Sequence, residues 1–245
     1  MVLAMELLLA LSLALFFTGC AMARPLFSVS CSIESHCMYT SNRWLHRLKR
    51  VMFSISPWAS EKLGLKFEII CLNRDFLEKD IFACFNKMAG DQIGGQQWLF
   101  VGVARYTWHY HRLTEAEFHT IDNDRKQVRF AQKGFHTVGS ALELERFYAP
   151  ESFDVVMANG VVGHGTDDIE SFRKLLTQLR FVAKQGAVVL LGYNEPFKEK
   201  FFDIESEITN SSLFERFVPP IEGLQDSSIL INDSFQHRYV FLKAL

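Results

Sequence analysis

Between Trp98 and Leu191 the chain repeats one pattern that few folds satisfy: apolar runs of four to six residues, separated by stretches long enough for a helix or a turn. The runs are Trp98–Val103, Phe118–Ile121, Phe135–Val138, Phe153–Ala158 and Ala187–Leu191. Continuous rather than alternating apolarity suits strands buried on both faces, as in a parallel sheet covered by helices. Strands alternating with helical patterns are the signature of βαβ units, so the expected class is α/β with a doubly wound, mostly parallel sheet. The strongest helix signal lies between the last two runs, where Ile169, Phe172, Leu175, Leu176, Leu179 and Val182 share one face. Asp167 and Glu170 read as its capping box and Gly186 as its stop. Two further strands, Leu213–Val218 and His237–Leu242, are expected in the tail, with Pro219-Pro220 and a Ser- and Asp-rich loop between them.

The 245 residues are 49% hydrophobic and 22% charged, which supports one sizeable core. We place the main domain at 98–245. Residues 24–97 read as a connector that carries one amphipathic helix, with Leu77, Ile81, Cys84, Phe85 and Met88 at helical spacing and Gly90 near its end. Asp91 to Gln97 then reads as a turn or linker. Residues 1–23 differ from everything that follows, because Val2 to Ala23 is interrupted only by Glu6, Ser12 and Thr18. About 22 helical residues reach roughly 33 Å, enough to cross a hydrocarbon core. Three readings stay open: an uncleaved anchor, a cleaved signal and a misassigned start codon. Ala21-Met22-Ala23 resembles a signal-peptidase site, and Phe17-Thr18-Gly19-Cys20 a lipoprotein box. No Lys or Arg precedes the apolar run, whereas Arg24, Arg43, Arg47, Lys49 and Arg50 follow it. That asymmetry puts the remaining chain on the cytoplasmic side of a membrane anchor; cleavage would make the protein secreted or a lipoprotein.

A net charge of −2 and a pI near 6.4 supply no electrostatic reason to expect nucleic acid as a partner. The cysteines, Cys20, Cys31, Cys37, Cys71 and Cys84, show no C-x-x-C spacing and are expected to be mostly thiols. His109 and His111 could face a metal, but spacing supplies no third ligand, so no metal site is expected. Tyr106, Trp108 and Tyr110 read as core or pocket wall.

Ligands of doubly wound sheets bind beyond the carboxyl ends of the strands, which directs attention to three places. After the first run, Gly102 and Ala104 are small enough to let a ligand approach the backbone. Asp122 follows the second run by one residue and Gly102 by twenty, a position from which a carboxylate can accept hydrogen bonds from both hydroxyls of a ribose. Asn159-Gly160 and Gly163-His164-Gly165 form a polar, glycine-rich loop after the fourth run.

In order and spacing, Leu99-Phe100-Val101-Gly102-Val103, Thr120-Ile121-Asp122-Asn123-Asp124, Ser152 to Gly160 and Gly186 to Gly192 resemble successive motifs of class I, Rossmann-like S-adenosylmethionine-dependent methyltransferases. The resemblance covers about Trp98 to Asn194 and implies an antiparallel last strand. It implies S-adenosylmethionine as cofactor, with Gly102 and Ala104 against its methionine part, Asp122 on the ribose, Ser140 and Ala141 flanking the adenine, and Asn159 facing the methyl-transfer site. The family's loop carries three glycines at alternate positions; here the second is Ala104 and the third Tyr106, and Ser140 stands where an acidic residue is common. The activity implied is methyl transfer to a small-molecule acceptor. For an acceptor that must lose a proton, His164, His109 or His111 could serve as base, and His164 is favoured by its place in the loop.

Two other functions fit parts of the pattern. A catalytically inactive, membrane-associated interaction module would keep the fold without cofactor affinity. An NAD-dependent oxidoreductase shares the small-residue turn and the ribose carboxylate, but G-x-G-x-x-G is absent and the one Y-x-x-x-K, Tyr239 to Lys243, falls in a strand pattern at the chain end. Hydrolase chemistry fits less well still, since no G-x-S-x-G nucleophile elbow occurs.

Overall fold

The first strand after the connector, β1 (Gln97–Val101), sits in the middle of the sheet and is buried along nearly its whole length. A computed structural model of the chain describes residues 43–64, 71–195 and 202–245. All of these fall in one unit, Ser35–Leu245. The remaining strands are β2 (Glu117–Asp122), β3 (His136–Val138), β4 (Phe153–Asn159), β5 (Ala183–Asn194), β6 (Phe214–Arg216), β7 (Ser228–Ile231) and β8 (His237–Ala244). They form an eight-stranded sheet in the order β3-β2-β1-β4-β5-β8-β6, with β7 also paired to β8. The first five strands are parallel, and β8 runs antiparallel to β5. The outer edge of β8 is shared: β7 covers His237 to Val240, and β6 covers Leu242 to Ala244.

Because side chains alternate across a strand, each central strand feeds two cores. Leu99, Val101, Val156, Val189, Leu191, Val240 and Leu242 point to one face and pack with Phe172, Leu175, Leu176 and Leu179 of the helix Ile169–Val182. Trp98, Phe100, Val155, Met157, Val188, Leu190, Tyr239 and Phe241 point to the other. There they meet Leu77, Ile81, Phe82, Cys84 and Phe85. Those five residues belong to one helical rod made of α3 (Leu72–Phe76), a π-helical turn (Leu77–Ile81) and α4 (Phe82–Ala89). Two earlier helices, α1 (Arg43–Ile55) and α2 (Pro57–Lys62), precede it, and the long helix Ile169–Val182 is α5, followed by α6 (Ile204–Ser211). The expected doubly wound α/β sheet is therefore present, with an antiparallel strand after the parallel set.

Several expectations need correction. The domain does not start at Trp98, because the helical rod of the supposed connector supplies one of its two cores. The cap of α5 is Asp168, which accepts from the backbone of Ser171 at 2.7 Å while Ser171 Oγ closes the box; Asp167 and Glu170 have no part in it. Such a cap typically contributes about 1 kcal/mol. Nor does Gly186 stop the helix. The chain leaves α5 at Val182 and enters β5 directly, and Gly186, at φ +76°, lies where the β4–β5 register shifts. The connections after β1, β2 and β3 carry short 3-10 turns in place of helices, Tyr110–Arg112, Arg125–Phe130 and Ala141–Arg146. Strand β7 has no counterpart in the sequence reading, since four residues inside a polar loop, three half-buried and Leu230 exposed, carry too little pattern to stand out.

Among the described residues no helix is long and apolar enough to cross a membrane. The apolar segment 1–23 lies outside the described residues, as do Cys20, Cys31 and Cys37. Cys71 and Cys84 are thiols, the latter buried.

Candidate active site

At the carboxyl edge of the parallel strands the chain leaves β1 through Gly102 at φ +89°, a left-handed conformation that favours glycine. The turn is braced from two sides. Val103 N–H donates to Asp122 Oδ2 at 2.8 Å, and Ala104 N–H donates to Thr107 Oγ1 at 3.0 Å, whose hydroxyl returns to the Ala104 carbonyl. Asp122, half-buried at the end of β2, also accepts from Asp124 N–H through Oδ1 at 2.8 Å. Each carboxylate oxygen thus takes one backbone N–H and keeps a lone pair for a ligand. After β3, Ser140 Oγ accepts from Leu142 N–H at 3.1 Å, turning Ala141 toward the same edge.

These segments open onto one cavity of about 490 Å³, within the ~300–1,000 Å³ range of sites that enclose a drug-sized ligand. Gly102, Ala104, Asp122, Ser140, Ala141, Asn159 and His164 all line it. His164 is exposed at the rim, in a turn held by its own N–H on the Val161 carbonyl, 3.1 Å. His109 and His111 do not line the cavity, and His109 instead contacts Glu78 at 3.2 Å. No group of three metal-ligating side chains occurs among the described residues.

The opposite wall was missed by sequence reasoning. His237, at the start of β8, is 5% exposed and sits between two carboxamides, with Nε2 2.9 Å from Asn159 Oδ1 and Nδ1 2.6 Å from Asn194 Oδ1. Burial, and after it the charge of Arg74, pushes its pKa down to about 4. A neutral imidazole donates from one nitrogen and accepts at the other, so one carboxamide must turn its NH₂ toward the ring, which asparagine can do and a carboxylate cannot. Gly192 makes this meeting possible: a Cβ there would lie 2.1 Å from Asn159 Oδ1 and 2.9 Å from His237 Nε2. A Gly192→Ala variant is expected to lose about 2 kcal/mol of stability through overpacking. It should also shift the ring-nitrogen NMR signals of His237; unchanged signals would mean the triad is not held by this contact.

Arg74 and Asn73 reach the cavity from α3. The Arg74 guanidinium lies 3.8 Å from the ring centre of Tyr106 and donates to Tyr110 Oη at 2.8 Å. Neighbouring Asn73 accepts from Tyr239 Oη through its carbonyl, 2.9 Å. The aromatic residue at the family's third glycine position thus serves as a platform for a cation. No sequence signal marked Arg74, because it lay in a segment read as connector; His237 was hidden as the first residue of a strand.

No protein-family model matches the chain, and no curated protein matches it. Solved structures do. A TehB-like SAM-dependent methyltransferase from Corynebacterium glutamicum is similar over 81% of this chain and 98% of its own, at 12% identity and a TM-score of 0.50. The N-methyltransferase NodS from Bradyrhizobium japonicum is similar over 69% of this chain and 99% of its own, at 12% identity and a TM-score of 0.47. NodS has also been solved in complex with S-adenosyl-l-homocysteine. The architecture described above is the class I, Rossmann-like methyltransferase fold.

Proposed function

We propose that the protein is an S-adenosylmethionine-dependent methyltransferase acting on a small-molecule acceptor. One observation carries the reading. The residues singled out for cofactor contact, from four separate strand ends, converge on a single cavity with a ribose-type carboxylate at one end. When bound, S-adenosylmethionine supplies an electrophilic sulfonium methyl group, so the chain itself has to align the acceptor and exclude water. Gly102 and Ala104 leave the backbone approachable for the methionine part, Asp122 holds the ribose, and Ser140 with Ala141 flanks the adenine. Asn159 orients the acceptor at the point of transfer. For an acceptor that must lose a proton, His164 at the rim takes it, since His237 with a pKa near 4 is a weak base at neutral pH.

Calorimetric titration of the full-length chain tests this reading against its rivals. S-adenosylmethionine is expected to bind at micromolar Kd and NAD not at all. Binding of NAD alone would move the protein to the oxidoreductases, and binding of neither would leave an inactive module built on the same fold.

A further inference from the structure

Among the described residues that line the cavity, Arg74 is the one permanent cation and Asp122 the one carboxylate. Asp122 ends β2; His237 begins β8, and β1, β4 and β5 lie between those two strands. Arg74 lies over Tyr106 of the loop after β1, and its neighbour Asn73 is tied to β8 through the Tyr239 hydroxyl, 2.9 Å. Among the described residues Arg74 forms no ion pair with any Asp or Glu. It contacts a phenol oxygen at 2.8 Å and an aromatic face at 3.8 Å, which orient the guanidinium without neutralising it. A half-buried guanidinium held in a fixed orientation by two rings, lining a cavity and lacking a counter-charge, is a preformed site for an anion. Glu78 reaches the same Tyr110 hydroxyl but forms no ion pair with Arg74, and Asn73, Asn194 and His237, which line the cavity with it, bring no negative charge.

We propose that the methyl acceptor carries a carboxylate, and that Arg74 binds it as the specificity-determining residue of the site. This assignment rests on the methyltransferase reading and narrows its substrate to anionic small molecules. A carboxylate on Arg74 leaves the rest of the acceptor facing Asn194, His237 and Asn159, where the proposed transfer takes place. Stacking on Tyr106 gives the departure from the glycine pattern a purpose, since glycine at that position would leave the guanidinium without its platform. The rival ligand for Arg74 is the carboxylate of the cofactor itself, and the test separates the two.

The test uses benzoate and its uncharged isostere benzamide, titrated into the full-length chain by ligand-observed NMR with and without saturating S-adenosylhomocysteine. Wild type is expected to bind benzoate at least about 10-fold tighter than benzamide, as a charge-assisted bidentate contact requires. Arg74→Met is expected to abolish that preference while changing the affinities for S-adenosylhomocysteine and for 5′-methylthioadenosine, which lacks the amino-acid part, by no more than about twofold. Equal binding of benzoate and benzamide to wild type, or a preference that survives in Arg74→Met, overturns the proposal. So does a loss of S-adenosylhomocysteine affinity that spares methylthioadenosine, because Arg74 would then serve the cofactor. Should Arg74→Met fail to fold, Arg74→Lys is read instead: it keeps the charge but not the fork, and a preference reduced at least threefold supports the assignment, whereas an unchanged one overturns it. If wild type binds no S-adenosylhomocysteine, the methyltransferase reading fails, while the cofactor-free benzoate series still reports on Arg74.

Discussion

Replacing Asp122 with alanine is expected to weaken S-adenosylmethionine binding at least ~100-fold and to lower the stability of the empty protein as well. Hydrogen bonds from two ribose hydroxyls to a carboxylate together contribute about 3 kcal/mol, which corresponds to roughly two orders of magnitude in Kd. The same carboxylate braces the loop after β1 and the turn after β2 from within, through Val103 N–H and Asp124 N–H, each at 2.8 Å. Val103 is 6% exposed, so its N–H would lose its acceptor where water has little access, at a cost of about 1–3 kcal/mol. Asp122→Asn separates the two roles. Its amide offers one oxygen where the carboxylate offers two, so it can satisfy only one of the backbone donors, and an intermediate loss of both binding and stability is expected. Calorimetry and chemical denaturation on the same samples decide the matter. A variant that is less stable yet binds the cofactor as wild type does would make Asp122 a brace of the loop and nothing more.

How far the sequence could be read depended on whether each position's role was local. The central strands were legible because burial on both faces forces continuous apolar runs, and Trp98 to Val101 or Val155 to Ala158 have no polar alternative. Helix α5 was legible because six apolar residues repeat at helical spacing on one face. Its cap was misplaced by one residue because Asp167 and Asp168 are adjacent, and only the backbone turn decides which of them meets the N–H of Ser171. The rod from Leu72 to Ala89 was seen as an amphipathic helix, yet its membership in the core was not, since periodicity reports that a face is apolar and not what covers it. The part of the cavity lining that follows the parallel strands was readable for a related reason. Gly102, Asp122 and Asn159 each follow a strand directly, and position relative to a strand end is a one-dimensional property. The rest depends on pairs distant in sequence, Arg74 with Tyr106 and Tyr110, His237 with Asn159 and Asn194. Those meetings are set by the order of strands in the sheet, above all by β8 inserting beside β5, and no local spacing encodes them.

The buried imidazole of His237 makes the stability of the fold depend on pH in a defined window. Its pKa is about 4 in the folded chain, from burial first and the Arg74 charge second, against about 6.5 for an unperturbed histidine. Between those values the unfolded chain binds the proton and the folded chain does not, so stability rises with pH across the window. The contribution is complete above about pH 6.5 and is lost as the pH falls toward 4, at up to roughly 1.4 kcal/mol per pH unit and about 3 kcal/mol in all. His136 and His111 are also lowered by burial and act in the same direction, so the total slope of the wild type does not isolate His237. A His237→Gln variant does, because glutamine keeps a donor and an acceptor for the flanking carboxamides and cannot titrate. Urea denaturation from pH 7.5 down to pH 4.5 should show wild type and variant converging as the pH falls, with the variant's curve flatter. Parallel curves would mean that His237 titrates in the folded chain near its ordinary value, so that burial and the Arg74 charge do not hold the ring neutral across the window. In that case the imidazole would gain its charge below about pH 6.5 and stand as a second cation beside the cavity's guanidinium, so that anion binding there would strengthen as the pH falls.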